Sequence, residues 1–87
     1  MSEKELEKIY KALANKRRIA ILKYLRRVSD AAVGDISEEI KLSFRATSRH
    51  LSILANADLL DKNQQGLSVF YFIPLNKKQI VSRLLSI

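Results

Sequence analysis

The sequence predicts a single, mainly α domain with one β-hairpin, and three observations predict it. Apolar residues make up 47% of the 87 positions, too many for a disordered chain. Two glycines and one proline are too few breakers for a many-stranded sandwich. Apolar side chains recur at three- and four-residue spacing along most of the chain and turn strand-like only between Leu59 and Ile73. A chain this short has room for one core, so the expected domain spans residues 1–87.

The first helix starts at a capping box, Ser2-Glu3-Lys4-Glu5, in which hydroxyl and carboxylate each satisfy an orphan amide of the first turn. Leu6, Ile9, Tyr10 and Leu13 then mark one apolar stripe, predicting a helix from about Glu3 to Ala14. Asn15 stops it and caps the next. In the second helix Ile21, Tyr24, Leu25 and Val28 keep the spacing, and Ile19 and Leu22 widen the stripe, so this helix should be the most buried and end near Ser29. A polar link, "SDAA", leads to a brief third helix carrying Val33, Ile36 and Ile40. Its start is open, because Asp35 with Glu38 makes a second capping box while Ser29 or Asp30 can cap a helix that begins earlier.

Ser43 is the N-cap of a fourth helix, "SFRATSRHLSIL", with Thr47, Leu51 and Leu54 as a narrow buried seam and His50 at its edge. Beyond it, Leu59 to Asn63, a turn "NQQG" and Leu67 to Ile73 read as a β-hairpin. Pro74 ends the second strand, and "LNKKQIVSRLLSI" returns to helical spacing through Ile80, Val81, Leu84 and Leu85. Two short helices joined by a tight link and followed by a hairpin make a winged helix-turn-helix.

That arrangement gives the polar face of the fourth helix a use. With the seam turned inward, Phe44, Arg45, Ser48, Arg49 and Ser52 project outward, and a helix of about twelve residues is roughly 18 Å long, enough to reach several base edges in a major groove. Arginine chelates guanine through two hydrogen bonds, and serine bonds a base edge or a phosphate. Sixteen Lys and Arg against nine Asp and Glu, a formal charge of +7, agree with a polyanionic partner such as double-stranded DNA.

Composition also excludes. Without cysteine there are no disulfides and no thiolate metal sites, which points to an intracellular protein. No apolar run approaches the roughly 20 residues that span a bilayer, and no signal segment follows the charged N-terminus, so a cytoplasmic, membrane-free protein is expected. One histidine and no acidic pair beside a nucleophile leave no evident acid, base or metal centre, so no enzyme is expected.

Together "ALANKRRIAILKYL" and "VGDISEEIKLSFRATSRHLSILANADLLDKNQQGLSVFYFI" resemble the ArsR-type winged-helix repressors over nearly the whole domain, most closely at "LSFRATSRHLSIL" and "ADLL". The resemblance implies a DNA-binding homodimer with the first and last helices at the dimer contact. It implies that Ser48, Arg49 and His50 lie near DNA and that Gln64, Gln65 and Gly66 form the wing tip. It does not extend to metal ligands: "VGDISEEI" and "NKKQIVSRLLSI" lack the Cys, Asp and His sets of metal-sensing members, so neither metal nor cofactor is expected. The wing carries glutamines where relatives often have arginine, which leaves Lys62 as the nearby phosphate contact. Phe44 replaces a usually polar residue and either presses on a thymine methyl or packs locally.

The expected DNA-facing set is therefore Ser43, Phe44, Arg45, Thr47, Ser48, Arg49, His50 and Ser52 on the helix over 43–55, Lys62, Gln64 and Gln65 on the wing, and Lys16, Arg17 and Arg18 at the start of the second helix. Positive charge at that last site opposes the helix dipole, and either a DNA phosphate or solvent offsets it. His50 is equally read as a packing residue at the edge of the seam. The expected dimer set is Leu6, Ile9, Tyr10, Leu13, Ile80, Val81, Leu84 and Leu85, because a small domain cannot bury every stripe alone. The competing reading is a winged helix used as a protein-interaction module, with RNA binding a lesser one, since the aromatics lie in apolar patterns rather than on a stacking platform.

Overall fold

The computed structural model describes residues 1–86; Ile87, the last residue of the expected domain, lies outside the described residues. The elements are α1 (Glu3–Leu13), α2 (Lys16–Val28), β1 (Asp30–Ala32), α3 (Val33–Ile40), α4 (Phe44–Asn56), β2 (Asp61–Gln65), β3 (Ser68–Phe72), a 3-10 turn (Leu75–Lys77) and α5 (Lys78–Leu85). This is a winged helix-turn-helix of five helices with a three-stranded antiparallel sheet in the order β1-β3-β2.

The expected caps hold the helix starts. Ser2 Oγ accepts from the Glu5 amide at 3.2 Å, and Glu5 Oε1 accepts from the Ser2 amide at 3.2 Å. Asn15 Oδ1 accepts from the amides of Arg17 at 2.9 Å and Arg18 at 3.3 Å, so one side chain closes the link after α1 and opens α2. Ser43 Oγ accepts from the Ala46 amide at 3.1 Å at the start of α4.

The link read as "SDAA" holds a strand instead. Ser29 takes φ 76°, ψ −60°, a strained conformation for a residue with a Cβ, and turns the chain out of α2. Asp30, Ala31 and Ala32 then pair with Phe72, Tyr71 and Phe70 of β3, which makes β3 the central strand. None of the proposed caps opens α3: Ala32 stands at its N-cap position, without a side-chain cap, because the strand's own pairing sets where the helix begins. At its other end Lys41 adopts the left-handed conformation and the Leu42 amide donates to Ser37 O at 3.1 Å, an αL helix stop. Leu42 and Ser43 complete the tight turn into α4.

The core lies where α2, α3, α4 and α5 meet. Ile21, Leu22 and Leu25 of α2 pack with Ile36, Leu51, Leu54, Leu59 and Val81, all fully buried. Burying a side chain of this size stabilises by about 1.5–3 kcal/mol, which is why the α4 seam fixes that helix's rotation. Leu59 and Leu60, expected to open a strand, are buried in the connection after α4, and β2 begins only at Asp61.

The hairpin register also differs from the expected one. Asn63, Gln64 and Gln65 lie inside β2, opposite Phe70, Val69 and Ser68, and the turn is Gly66-Leu67. Gly66 has φ +64°, so a two-residue loop with glycine first suits the strand twist and outcompetes the polar "NQQG" turn.

Candidate nucleic-acid interface

α4 divides cleanly into a back and a front. Thr47, Leu51 and Leu54 form the back, each 0% exposed. Thr47 was expected to face DNA, and here the structure corrects the sequence reading: its hydroxyl is buried and unpartnered among the described residues, because it shares the seam's rotation with the two leucines. On the front Phe44 is 61% exposed, Arg45, Arg49 and Ser52 are exposed, and Ser48 is half-buried. Among the described residues neither Arg45 nor Arg49 has an ion-pair or hydrogen-bond partner for its guanidinium. Ser43 remains exposed, although its oxygen already caps the helix.

The basic segment at the start of α2 behaves differently. Arg17 Nη1 donates to Ile40 O at 3.2 Å, at the end of α3. Arg18 Nε donates to Ala12 O at 2.6 Å and its Nη2 to Lys11 O at 3.3 Å, both in the last turn of α1. For these two arginines the charge that opposes the α2 dipole meets the negative C-terminal ends of two other helices. Both arginines are half-buried and bonded inside the molecule, whereas Lys16, the third of the expected phosphate contacts there, is exposed.

His50 sits at the edge of the seam, half-buried, with Nδ1 at 3.2 Å from Arg18 Nη1. A guanidinium can only donate, so Nδ1 is the acceptor and the ring is neutral with its proton on Nε2. Burial first, then the charges of Arg18, Arg17 and Arg49, push the imidazole below its ordinary value.

On the wing, Lys62 is exposed but pairs across the ladder with Tyr71, toward the base of the hairpin rather than its tip. Gln64 Nε2 donates to Gly66 O at 3.3 Å and Gln65 Nε2 to Asn63 Oδ1 at 3.1 Å, so both glutamines stiffen the end of β2. The tip itself presents Leu67, 102% exposed, which sequence reasoning missed. Its signal was the glycine beside it, had the turn been placed at Gly66 rather than across "NQQG".

The expected dimer residues separate into two groups. Ile9, at 3% exposure, and Val81, at 1%, belong to the core and are not available to a partner. Tyr10 is exposed, and Leu6, Leu13, Ile80, Leu84 and Leu85 are half-buried. Leu13, Leu84 and Leu85 line a hollow of about 170 Å³ with Ile19 and Lys23, so the apolar residues of α1 and α5 meet across α2 in one patch. Ile19, which widens the α2 stripe in the sequence pattern, thus also lines this patch.

Among the described residues no three His, Asp or Glu side chains come together as metal ligands, and no helix is long and apolar enough to cross a membrane.

Comparison with known proteins follows the same geometry. The family model for bacterial regulatory proteins of the arsR family matches residues 15–62, from the cap of α2 to the start of β2. The chain is similar to the transcriptional activator HlyU of Vibrio cholerae serotype O1, at 32% identity over 92 residues, covering 98% of this chain and 84% of that protein. The solved structure of HlyU matches with a TM-score of 0.82 at 30% identity, over 97% and 94% of the two chains. The transcriptional repressor SdpR of Bacillus subtilis is 30% identical over 66 residues, 76% of this chain and 72% of that one. The homodimeric winged helix-turn-helix DNA-binding domain Mb0332 (fragment 1-100) of Mycobacterium bovis shares the fold with a TM-score of 0.89 at 22% identity, over 99% and 85% of the chains.

Proposed function

The chain belongs to the ArsR family of bacterial regulatory proteins and is a DNA-binding transcriptional regulator, not an enzyme, and from that premise we propose how it engages DNA. It acts as a symmetric homodimer that sets the helix over 43–55 of each subunit into successive major grooves, with half-sites about 34 Å apart. Arg45 and Arg49 read guanine edges, Ser48 and Ser52 bond base edges or phosphates, and the Phe44 ring meets a thymine methyl. Lys16 and Lys62 contact phosphates, and the wing end, Gln64 to Leu67, lies against the neighbouring backbone. The half-buried patch of Leu13, Ile80, Leu84 and Leu85, with Leu6 and Tyr10, is the face a second copy covers.

One observation carries this reading: two exposed arginines one helical turn apart, without a partner among the described residues, stand on a helix whose opposite face is fully buried. HlyU is named an activator and SdpR a repressor, so the sign of regulation does not travel with the fold. We take operator occupancy as the action here. The protein works in the cytoplasm, on the DNA it binds, without metal or cofactor.

Binding to duplexes selected from random sequence, measured across a salt series, tests the reading. A two-fold symmetric site whose affinity falls steeply with salt is expected. No binding, or an affinity indifferent to salt, overturns it in favour of a protein-interaction module. A monomer in sedimentation, both free and on DNA, overturns the two-groove arrangement.

A further inference from the structure

We propose that Arg18 is a positioning residue for DNA recognition, a joint that fixes α4 against the last turn of α1 through His50. This rests on the DNA-binding reading above and goes beyond it, since neither residue needs to touch DNA for the joint to act.

The geometry is specific to arginine. One planar guanidinium places Nε on Ala12 O at 2.6 Å, Nη2 on Lys11 O at 3.3 Å and Nη1 on His50 Nδ1 at 3.2 Å. Three donors in a rigid fork therefore join three elements: α2, which carries Arg18, α1, whose terminal carbonyls it caps, and α4, which carries His50. His50 directly follows Arg49 on α4, so the bond holds the helix beside one of its reading side chains. If α1 lies at the dimer contact, the joint links that contact to the angle at which α4 enters the groove. A lysine keeps the charge but cannot span three acceptors in these directions.

The joint also has a defined failure mode. A protonated imidazole has no lone pair for Arg18 and brings a second positive charge to 3.2 Å from the first. The charged groups that bear on the ring are Arg18 and Arg17 from α2 and Arg49 from α4, all cations. The nearby α1 pair, Lys11 Nζ and Glu7 Oε2 at 3.8 Å, is exposed and satisfies itself. With no carboxylate among the described charges that bear on the ring, acidification breaks the joint rather than replacing one bond by another.

The test uses the full chain, its selected operator duplex at constant salt, and two conservative variants. Arg18→Lys should weaken operator binding by about tenfold or more while leaving the dimer intact in sedimentation. His50→Gln keeps an acceptor but does not titrate, so its affinity is read as a pH series against its own value near neutral pH. Between about pH 7.5 and about pH 5.5 the unaltered chain should lose affinity, and His50→Gln should lose much less. Without DNA, ring nitrogen NMR should report the Nε2-protonated tautomer, and Arg18→Lys should disturb it. Arg18→Lys binding like the unaltered chain overturns the proposal, as does an equal pH dependence in His50→Gln. Tighter binding on acidification also overturns it, making His50 a phosphate contact instead. Absence of duplex binding at every pH overturns the DNA reading and the proposal with it; the tautomer measurement tells that case apart, because it needs no DNA.

Discussion

Arg17 and Arg18 at the start of α2 and Arg45 and Arg49 on α4 are the same residue type, yet the fold treats the two pairs in opposite ways. The first pair reaches the carbonyl ends of α1 and α3, at distances from 2.6 to 3.3 Å. The second pair is exposed on a helix front and finds no hydrogen-bond partner for its guanidiniums among the described residues. A cation close to a helix C-terminus is stabilised by the dipole and by unpaired carbonyls, and so becomes part of the scaffold. A cation without such an acceptor is left for an anionic ligand. The difference lies in which helix ends the tertiary structure delivers to each pair, not in the basicity of either segment.

The largest effect that tests this contrast is on stability. Arg18→Ala leaves two carbonyls of α1 and the His50 nitrogen without their donor, and should lower the unfolding free energy by about 3 kcal/mol, since hydrogen bonds from charged donors are worth roughly 1.5–3 kcal/mol each and do not add fully. Urea denaturation of the purified variant measures it. Arg45→Ala, an exposed change, should stay within about 0.5 kcal/mol of the unaltered chain. Equal losses at the two sites would erase the distinction between scaffold and ligand-facing arginines.

Binding should show the reverse order. Arg49→Ala should lose about 1–3 kcal/mol on the best operator and relax discrimination at one base pair. Lys62→Ala should weaken all sequences alike and reduce the salt slope by about one. Competition binding against single-base variants of the operator separates the two patterns. A uniform loss for Arg49→Ala would assign that side chain to phosphate and remove it from base reading.

The sequence showed the α4 contrast more clearly than the α2 one, for physical reasons. Ser2 with Glu5, Asn15 and Ser43 act within one helical turn, so their caps are legible locally. The seam of Thr47, Leu51 and Leu54 is periodic and legible too, and taken seriously it should have removed Thr47 from the DNA-facing set. β1 was not legible: three residues show no alternation, and their partners Phe70 to Phe72 lie far along the chain. Apart from His50, the partners of Arg17 and Arg18 are backbone carbonyls of other helices, which leave no residue signature. The hairpin register turned on Gly66, one glycine among polar residues that all read as turn formers. Ile9 and Val81 share stripes with residues that stay half-exposed, and periodicity alone does not say where the core ends and a partner face begins.

The smallest expected effect concerns pH, and it separates the two ends of the fold. His50 sits below its ordinary value in the folded chain, first because it is buried and then because Arg18, Arg17 and Arg49 surround it. The unfolded chain, with its histidine near 6.5, binds the proton more readily, so stability should fall as pH drops through about 6.5 and level off once the folded-state value is passed. Glu5 runs through a lower window: the Ser2 amide and hydroxyl hold its carboxyl below 4.5, and that stabilisation, present above 4.5, is lost as acid protonates it in the capping box. Thermal melts from about pH 7.5 to about pH 3 should therefore show two steps, and His50→Gln should remove only the upper one. If the upper step survives in that variant, another group titrates there and the Arg18 joint is not what acid opens first.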